Sequence, residues 1–196
     1  MYRKGKKNEF YTMLAKKQGF PARSVYKLKE IDEKYRIIKE GNRVLDLGCS
    51  PGSWLLYISQ KVGNRGKVIG VDIEEIKTPP RANIIFIKKS IFDLKESDFK
   101  DKFDVVVSDL SPKTSGIKFL DTGRSLELAE KSFEITKSVL LPGGNFVCKI
   151  FENELSNDFF KKVKNCFDFA KEFRPKAVIK QSKEFYIIGK GFKVQC

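Results

Sequence analysis

The chain has 196 residues, 41% of them hydrophobic, which is enough for one well-packed domain and too few for two. Its 39 Lys/Arg against 25 Asp/Glu leave a net charge of +14, and it contains no histidine. These features exclude every mechanism that needs an imidazole base, a Ser-His-Asp triad included, and disfavour the common metal sites. A basic surface suits a polyanion, above all nucleic acid.

No stretch reaches the length of a membrane span. The basic start "MYRKGKKNEF" lacks the apolar segment of a secretory signal. Cys49, Cys148, Cys166 and Cys196 form no CxxC pair and no zinc-like spacing, and read as the reduced thiols of a cytoplasmic protein. Residues 1–40 hold 12 Lys/Arg and 5 Asp/Glu, half of the net charge. Residues 1–20 read as a loose basic arm, and 21–196 as one domain.

In "ARSVYKLKEIDEKYRII" (22–38), Val25, Leu28, Ile31, Tyr35 and Ile38 recur at spacings of three and four. That pattern predicts an amphipathic helix with a charged outer face, ended by Gly41-Asn42. Strands and helices then alternate. "RVLDLG" (43–48), "KVIGVDI" (67–73), "NIIFIKK" (83–89), "KFDVVVSDL" (102–110), "NFVCKIF" (145–151) and "EFYIIGKGFKV" (184–194) read as strands. Helices are expected at 53–62, at 125–140 with Pro142-Gly143-Gly144 closing it, and at 156–167 with Ser156 as cap. Near-continuous apolar strands between helices mean an α/β fold with a mostly parallel sheet covered on both faces.

Ligands of open α/β sheets sit beyond the carboxyl ends of the strands. "DLGCSPGSW" (46–54) follows the first strand, and Gly48 and Gly52 bracket a turn into a helix N-terminus. The spacing is not GxGxxG, which weakens a dinucleotide reading. Asp72 lies 24 residues past Gly48, close to the ~20 of an acid that grips ribose hydroxyls. Asp93 follows the third strand, placed to accept from an adenine amino group, and Asp109 follows the fourth. Together these form an adenosine-shaped set. Lys149 is the anomaly: an ammonium inside the apolar "FVCKIF". It either snorkels, blunts an edge, or does chemistry.

Five segments in order resemble the FtsJ-like (RrmJ-like) class of S-adenosylmethionine-dependent RNA 2′-O-ribose methyltransferases. They are "RSVYKLKEID" (23–32), "LDLGCSPGSW" (45–54), "SDLSPKTSG" (108–116), "LLPGGNFVCKIF" (140–151) and "SKEFYIIGKGFK" (182–193), so the resemblance runs over about residues 20–193. It implies a Rossmann-like domain whose seven-stranded sheet has an antiparallel last strand. It also implies a Lys-Asp-Lys-Glu catalytic tetrad at Lys27, Asp109, Lys149 and Glu184, with Lys149 as proton acceptor. The cofactor would be S-adenosylmethionine, leaving as S-adenosylhomocysteine, with no metal. Its contacts would be Gly48, Ser50, Pro51, Gly52, Ser53, Trp54, Asp72, Asp93 and Asp109. Ser53 stands where the family usually has a second glycine, and as a helix cap it should preserve binding.

Lys149 acts as a base only as the neutral amine, against an ordinary lysine pKa near ~10.4. Burial and a neighbouring cation, Lys27, favour the amine; Asp109 opposes it. Asp109 and Lys27 would orient Lys149, and Glu184 would hold the ribose or the Lys27 ammonium. Alternation along a strand turns Cys148 away from the face of Lys149. That argues against a cysteine nucleophile for base methylation, and Asp109-Leu110-Ser111-Pro112 lacks the turn of amino-group methyltransferases.

By the resemblance, the partner is RNA, a uridine of large-subunit ribosomal RNA ahead of a tRNA anticodon loop reached with a partner protein. Arg23, Lys29, Lys34 and Lys16–Lys17 are candidate phosphate contacts. An RNA-binding module that has lost catalysis is the contrasting class, and a complete tetrad in order argues against it.

Overall fold

The computed structural model describes residues 4–113, 115–179 and 181–194. Cys196, the first three residues of the expected arm, and Thr114 of the fourth-strand segment lie outside them. Seven strands form one sheet: β1 (Arg43–Leu47), β2 (Lys67–Asp72), β3 (Ile84–Lys88), β4 (Phe103–Ser108), β5 (Leu140–Phe151), β6 (Phe167–Phe173) and β7 (Glu184–Phe192). Their order is β3-β2-β1-β4-β5-β7-β6. Only β7 runs antiparallel to its neighbours, β5 on one side and β6 on the other. The helices are α1 (Lys4–Lys17), α2 (Val25–Tyr35), α3 (Ser53–Val62), α4 (Lys118–Val139) and α5 (Ser156–Cys166). A single α/β domain with the expected mostly parallel sheet results.

Side-chain alternation builds a core on each face of the sheet. Val44, Val68, Val105, Val107, Val147, Tyr186 and Ile188 pack with α2 and α3. Leu45, Leu47, Ile69, Val106, Phe146, Cys148 and Ile187 pack against α4 and α5. The second core is aromatic. Phe146 stacks on Phe167 at 6.1 Å, and Phe133 meets Phe159 edge-on at 6.0 Å. Burying each such ring contributes on the order of 1.5–3 kcal/mol.

Three expectations change. Residues 4–17 are helical rather than loose: Ala15 and Phe20 are buried, and Tyr11 packs on Tyr26 at 5.2 Å between centroids. Anchorage by three or four apolar residues fixes a segment whose composition alone reads as solvated. The strand β6 did not stand out because "FDFAKEF" is charged and mostly exposed at the sheet edge. The long helix begins at Lys118, ahead of Gly123, and passes straight into β5 at Leu140. The Pro142-Gly143-Gly144 stretch therefore lies inside β5, where the register with β4 shifts between Phe103 and Val105.

The capping expectations also change. Ser156 is the first residue of α5, and its hydroxyl bonds the Asn153 carbonyl instead of capping. The helix at 22–38 ends at Tyr35, where Arg36 turns left-handed, before Gly41-Asn42. Among the described residues no helix is long and apolar enough to cross a membrane.

Candidate active site

The strand order reverses between β1 and β4, and a crevice opens there beyond their carboxyl ends. Its cavity is about 350 Å³, lined by Gly48, Ser50, Asp72, Ile91, Phe92 and Asp109 among others. Gly48 donates its N–H to the Val71 carbonyl at 2.9 Å, and Asp109 donates to the Leu47 carbonyl at 3.1 Å. The ends of β1, β2 and β4 are thus bolted together at the floor.

The turn after β1 needs its glycines. Gly52 sits at φ 105°, and a Cβ there would lie 2.4 Å from the Thr78 methyl. Gly52→Ala is expected to destabilise the fold by about 1–2 kcal/mol, the cost of a left-handed conformation for an L-residue. A chemical denaturation midpoint would show it, and an unchanged midpoint would contradict the strain.

Asp72 anchors the same turn. Its carboxylate accepts from the Ser50 N–H at 2.8 Å and the Glu74 N–H at 2.9 Å. Asp93 is exposed at the end of the short turn Ile91–Asp93, beside the crevice. Trp54 is buried, donates its indole N–H to the Ser24 carbonyl at 2.9 Å, and lies 5.9 Å from the Tyr186 ring. Ser53 does not cap α3. Its hydroxyl accepts from the Ala22 N–H at 2.6 Å and ties the start of α2 to α3. Pro51 and Gly52 carry the turn over to Lys77, whose N–H donates to the Pro51 carbonyl.

The structure brings all four predicted tetrad residues together as two ion pairs. Lys149 is 5% exposed, so it does not snorkel. Its ammonium donates to the Asp109 carbonyl oxygen at 2.7 Å and lies 3.2 Å from the Asp109 carboxylate. An ammonium has three N–H donors, and these contacts account for two. Lys27, on α2, is 2.6 Å from Glu184, the first residue of β7.

Tyr186 joins the pairs. It sits opposite Lys149 in the β5–β7 register, donates its hydroxyl to Asp109 at 2.8 Å, and has the Lys27 ammonium 6.0 Å from its ring. Burial pushes the Asp109 carboxyl upward, but Lys149, Lys27 and the Tyr186 hydroxyl together hold it below the ordinary range. Asp109 is therefore an anion at neutral pH. Cys148 faces the opposite core, and burial pushes its thiol up to about 12. A thiol held protonated is no nucleophile.

One acid was not singled out from sequence. Asp46 is fully buried on β1, and both its carboxylate oxygens lack any hydrogen-bond partner among the described residues. Asp32, almost equally buried, is fully served by the Ile38 N–H, the Tyr57 hydroxyl and the Lys61 ammonium. Burial, then the charges of Asp109 and Asp72, push the Asp46 carboxyl well above its usual value. The signal was available: a charged residue inside an apolar strand, the same anomaly that drew attention to Lys149. Three interacting carboxyls around one glycine turn, one of them unserved, fit a ligand that carries positive charge and ribose hydroxyls.

The proposed phosphate contacts divide. Lys16 and Lys17 are exposed at the end of α1. Arg23 donates to the Ala177 carbonyl, Lys29 lies 4.5 Å from the Phe20 ring, and Lys34 lies 4.4 Å from the Phe173 ring. These three are engaged in holding α2 to its neighbours.

Comparison with known proteins follows the same lines. A family described as FtsJ-like methyltransferase matches residues 20–192. The ribosomal RNA large subunit methyltransferase E of Desulfatibacillum aliphaticivorans is 46% identical over 193 residues, covering 95% of this chain and 93% of that one. That of Desulfosudis oleivorans is 42% identical over 190 residues, covering 95% and 92%. Among solved structures, one described as a ribosomal RNA methyltransferase from Plasmodium falciparum superimposes with a TM-score of 0.78 at 27% identity, over 88% of this chain and 98% of that one.

Proposed function

Since the chain belongs to the FtsJ-like methyltransferase family, we propose that it transfers a methyl group from S-adenosylmethionine to a ribose 2′-hydroxyl of RNA, in a uridine of the large ribosomal subunit. The observation that carries this reading is Lys149, buried at the crevice and bonded to Asp109, with the Lys27–Glu184 pair beside it. The printed names of the relatives support the ribosomal substrate.

Bound S-adenosylmethionine supplies a methyl group on a sulfonium, which leaves as S-adenosylhomocysteine without needing an acid. The chain's own work is to align an oxygen and manage one proton. Asp72 would hold the ribose hydroxyls with the lone pairs its two backbone contacts leave free, and Asp93 would accept from the adenine amino group. Gly48 and Gly52 give the backbone close approach, and Asp109, held ionised, sets the negative field in which a cationic ligand sits. Ser50, Pro51, Ser53 and Trp54 shape the turn from behind.

Lys149, as the neutral amine, would keep its two N–H groups on Asp109 and turn its lone pair to the 2′-hydroxyl, taking that proton as the oxygen attacks the methyl carbon. Asp109, kept ionised, fixes Lys149 in place. Glu184 fixes Lys27, whose charge opposes that of Asp109 and moderates its pull on the Lys149 proton. Alignment of this kind supplies roughly 7–11 kcal/mol of the barrier. The docked helix α1, through the exposed Lys16 and Lys17, would guide RNA phosphates toward the crevice.

The test is methyl transfer from labelled S-adenosylmethionine to large ribosomal subunits, free ribosomal RNA and bulk tRNA. Label in subunits is expected. Label confined to tRNA would overturn the substrate while keeping the chemistry. No label in any RNA, with cofactor binding intact, would revive a binding module that has lost catalysis.

A further inference from the structure

Beyond the crevice, past the ends of β5 and β7, lies a second cavity of about 720 Å³ between the start of α4 and the β5–α5 turn. That is within the roughly 300–1,000 Å³ of ordinary ligand pockets. Lys118, Phe119, Leu126, Glu152, Leu155 and Lys183 line it. It adjoins the catalytic groups through the chain itself. Lys183 precedes Glu184, and its carbonyl accepts from the N–H of Glu152, three residues past Lys149.

Its chemistry is unusual for a surface that serves only solubility. Phe119 is 84% exposed, with Ile117 and Leu155 each at 58%. The neighbouring Lys161 and Lys162 on α5 each hold a carboxylate. Lys118 and Lys183 instead face each other, and the Lys183 ammonium pulls Lys118 below the ordinary lysine range, with Glu152 opposing it weakly. Lys118 also opens α4, where the helix dipole disfavours a cation. Two converging ammonium groups disfavour each other until an anion sits between them.

We infer that this cavity holds the nucleotide next to the methylated one in the RNA, with its phosphate between Lys118 and Lys183 and its base stacked on Phe119. Glu152 offers an acceptor for a base N–H. A base on an exposed aromatic ring with its phosphate on lysines is the recurring mode of single-strand binding, and the arrangement pulls the target ribose out of any helix toward Lys149. This inference rests on RNA being the substrate.

The test compares wild type with Phe119→Ala, Phe119→Tyr and the double variant Lys118→Ala/Lys183→Ala, all at exposed positions. Cofactor affinity, the KM for RNA and the salt dependence of RNA binding are measured for each. Phe119→Ala is expected to raise the RNA KM about tenfold, a typical loss of one stacked base, with the salt slope unchanged and Phe119→Tyr restoring wild-type behaviour. The lysine pair is expected to lower the salt slope by about 1–2. Cofactor affinity should stay constant throughout. A wild type that methylates RNA while every variant keeps its KM and salt slope would overturn the inference. A wild type that methylates no RNA would instead remove the functional reading, and this inference with it.

Discussion

Lys149→Met should lower the single-turnover methyl-transfer rate by about 10²–10⁴-fold, the range for a lost general base, and should also lower the melting temperature, because the buried Asp109 loses its ion partner. Methionine keeps the unbranched apolar stem that packs between β4 and β7, so the loss isolates the ammonium. The geometry makes this the largest expected effect. Lys149 keeps one hydrogen-bonding valence after its two bonds to Asp109 are counted. Lys27 is committed to Glu184 at 2.6 Å. A variant within a few fold of wild type would remove Lys149 from the chemistry.

Asp46→Asn should raise stability at neutral pH without weakening cofactor binding. The free protein holds a buried carboxyl with no partner and a raised pKa. Such a group is neutral in both folded and unfolded chains well below pH ~3.9 and costs nothing there. As pH rises above that value the unfolded chain ionises first, so the folded state loses stability up to the raised folded pKa. Asparagine has no such penalty. At neutral pH the variant should melt higher, by about 2–4 °C for each kcal/mol removed in a chain of this size.

The same substitution should leave S-adenosylmethionine affinity within a few fold of wild type, since Asp46 is fully buried and does not line the crevice. Calorimetry of the free protein and a binding titration would give both numbers. A lower melting temperature would contradict the account of Asp46 as a buried carboxyl that costs stability.

The sequence carries more of the site than of the architecture around it. Lys149 stands out as a charge inside an apolar strand and Asp109 as an acid after one, whereas Lys27 and Glu184 are legible only through the resemblance of their segments to the family. The structure gathers all four around Tyr186. The pairing was less legible. Which lysine meets which acid depends on the β5–β7 register, and that register follows from a strand reversal no local pattern encodes. Tyr186 itself reads as one more aromatic in "EFYII" until its hydroxyl is seen on Asp109.

Elsewhere, tertiary contacts override local signals. The basic first twenty residues look solvated, yet Ala15 and Phe20 dock α1. The strand β6 looks like surface because it is an edge. Ser53 and Ser156 have the composition of caps, but their hydroxyls are drawn to Ala22 and Asn153, partners set by packing.

The most direct test of the central claim is the position of the transferred methyl group. RNA labelled by the wild-type protein would be hydrolysed in alkali, which cleaves every linkage next to a free 2′-hydroxyl. Label recovered in an alkali-resistant dinucleotide, and lost with Lys149→Met, is the predicted result. Label released in mononucleotides would place the methyl on a base and contradict the assignment of the Lys27, Asp109, Lys149 and Glu184 cluster to ribose chemistry.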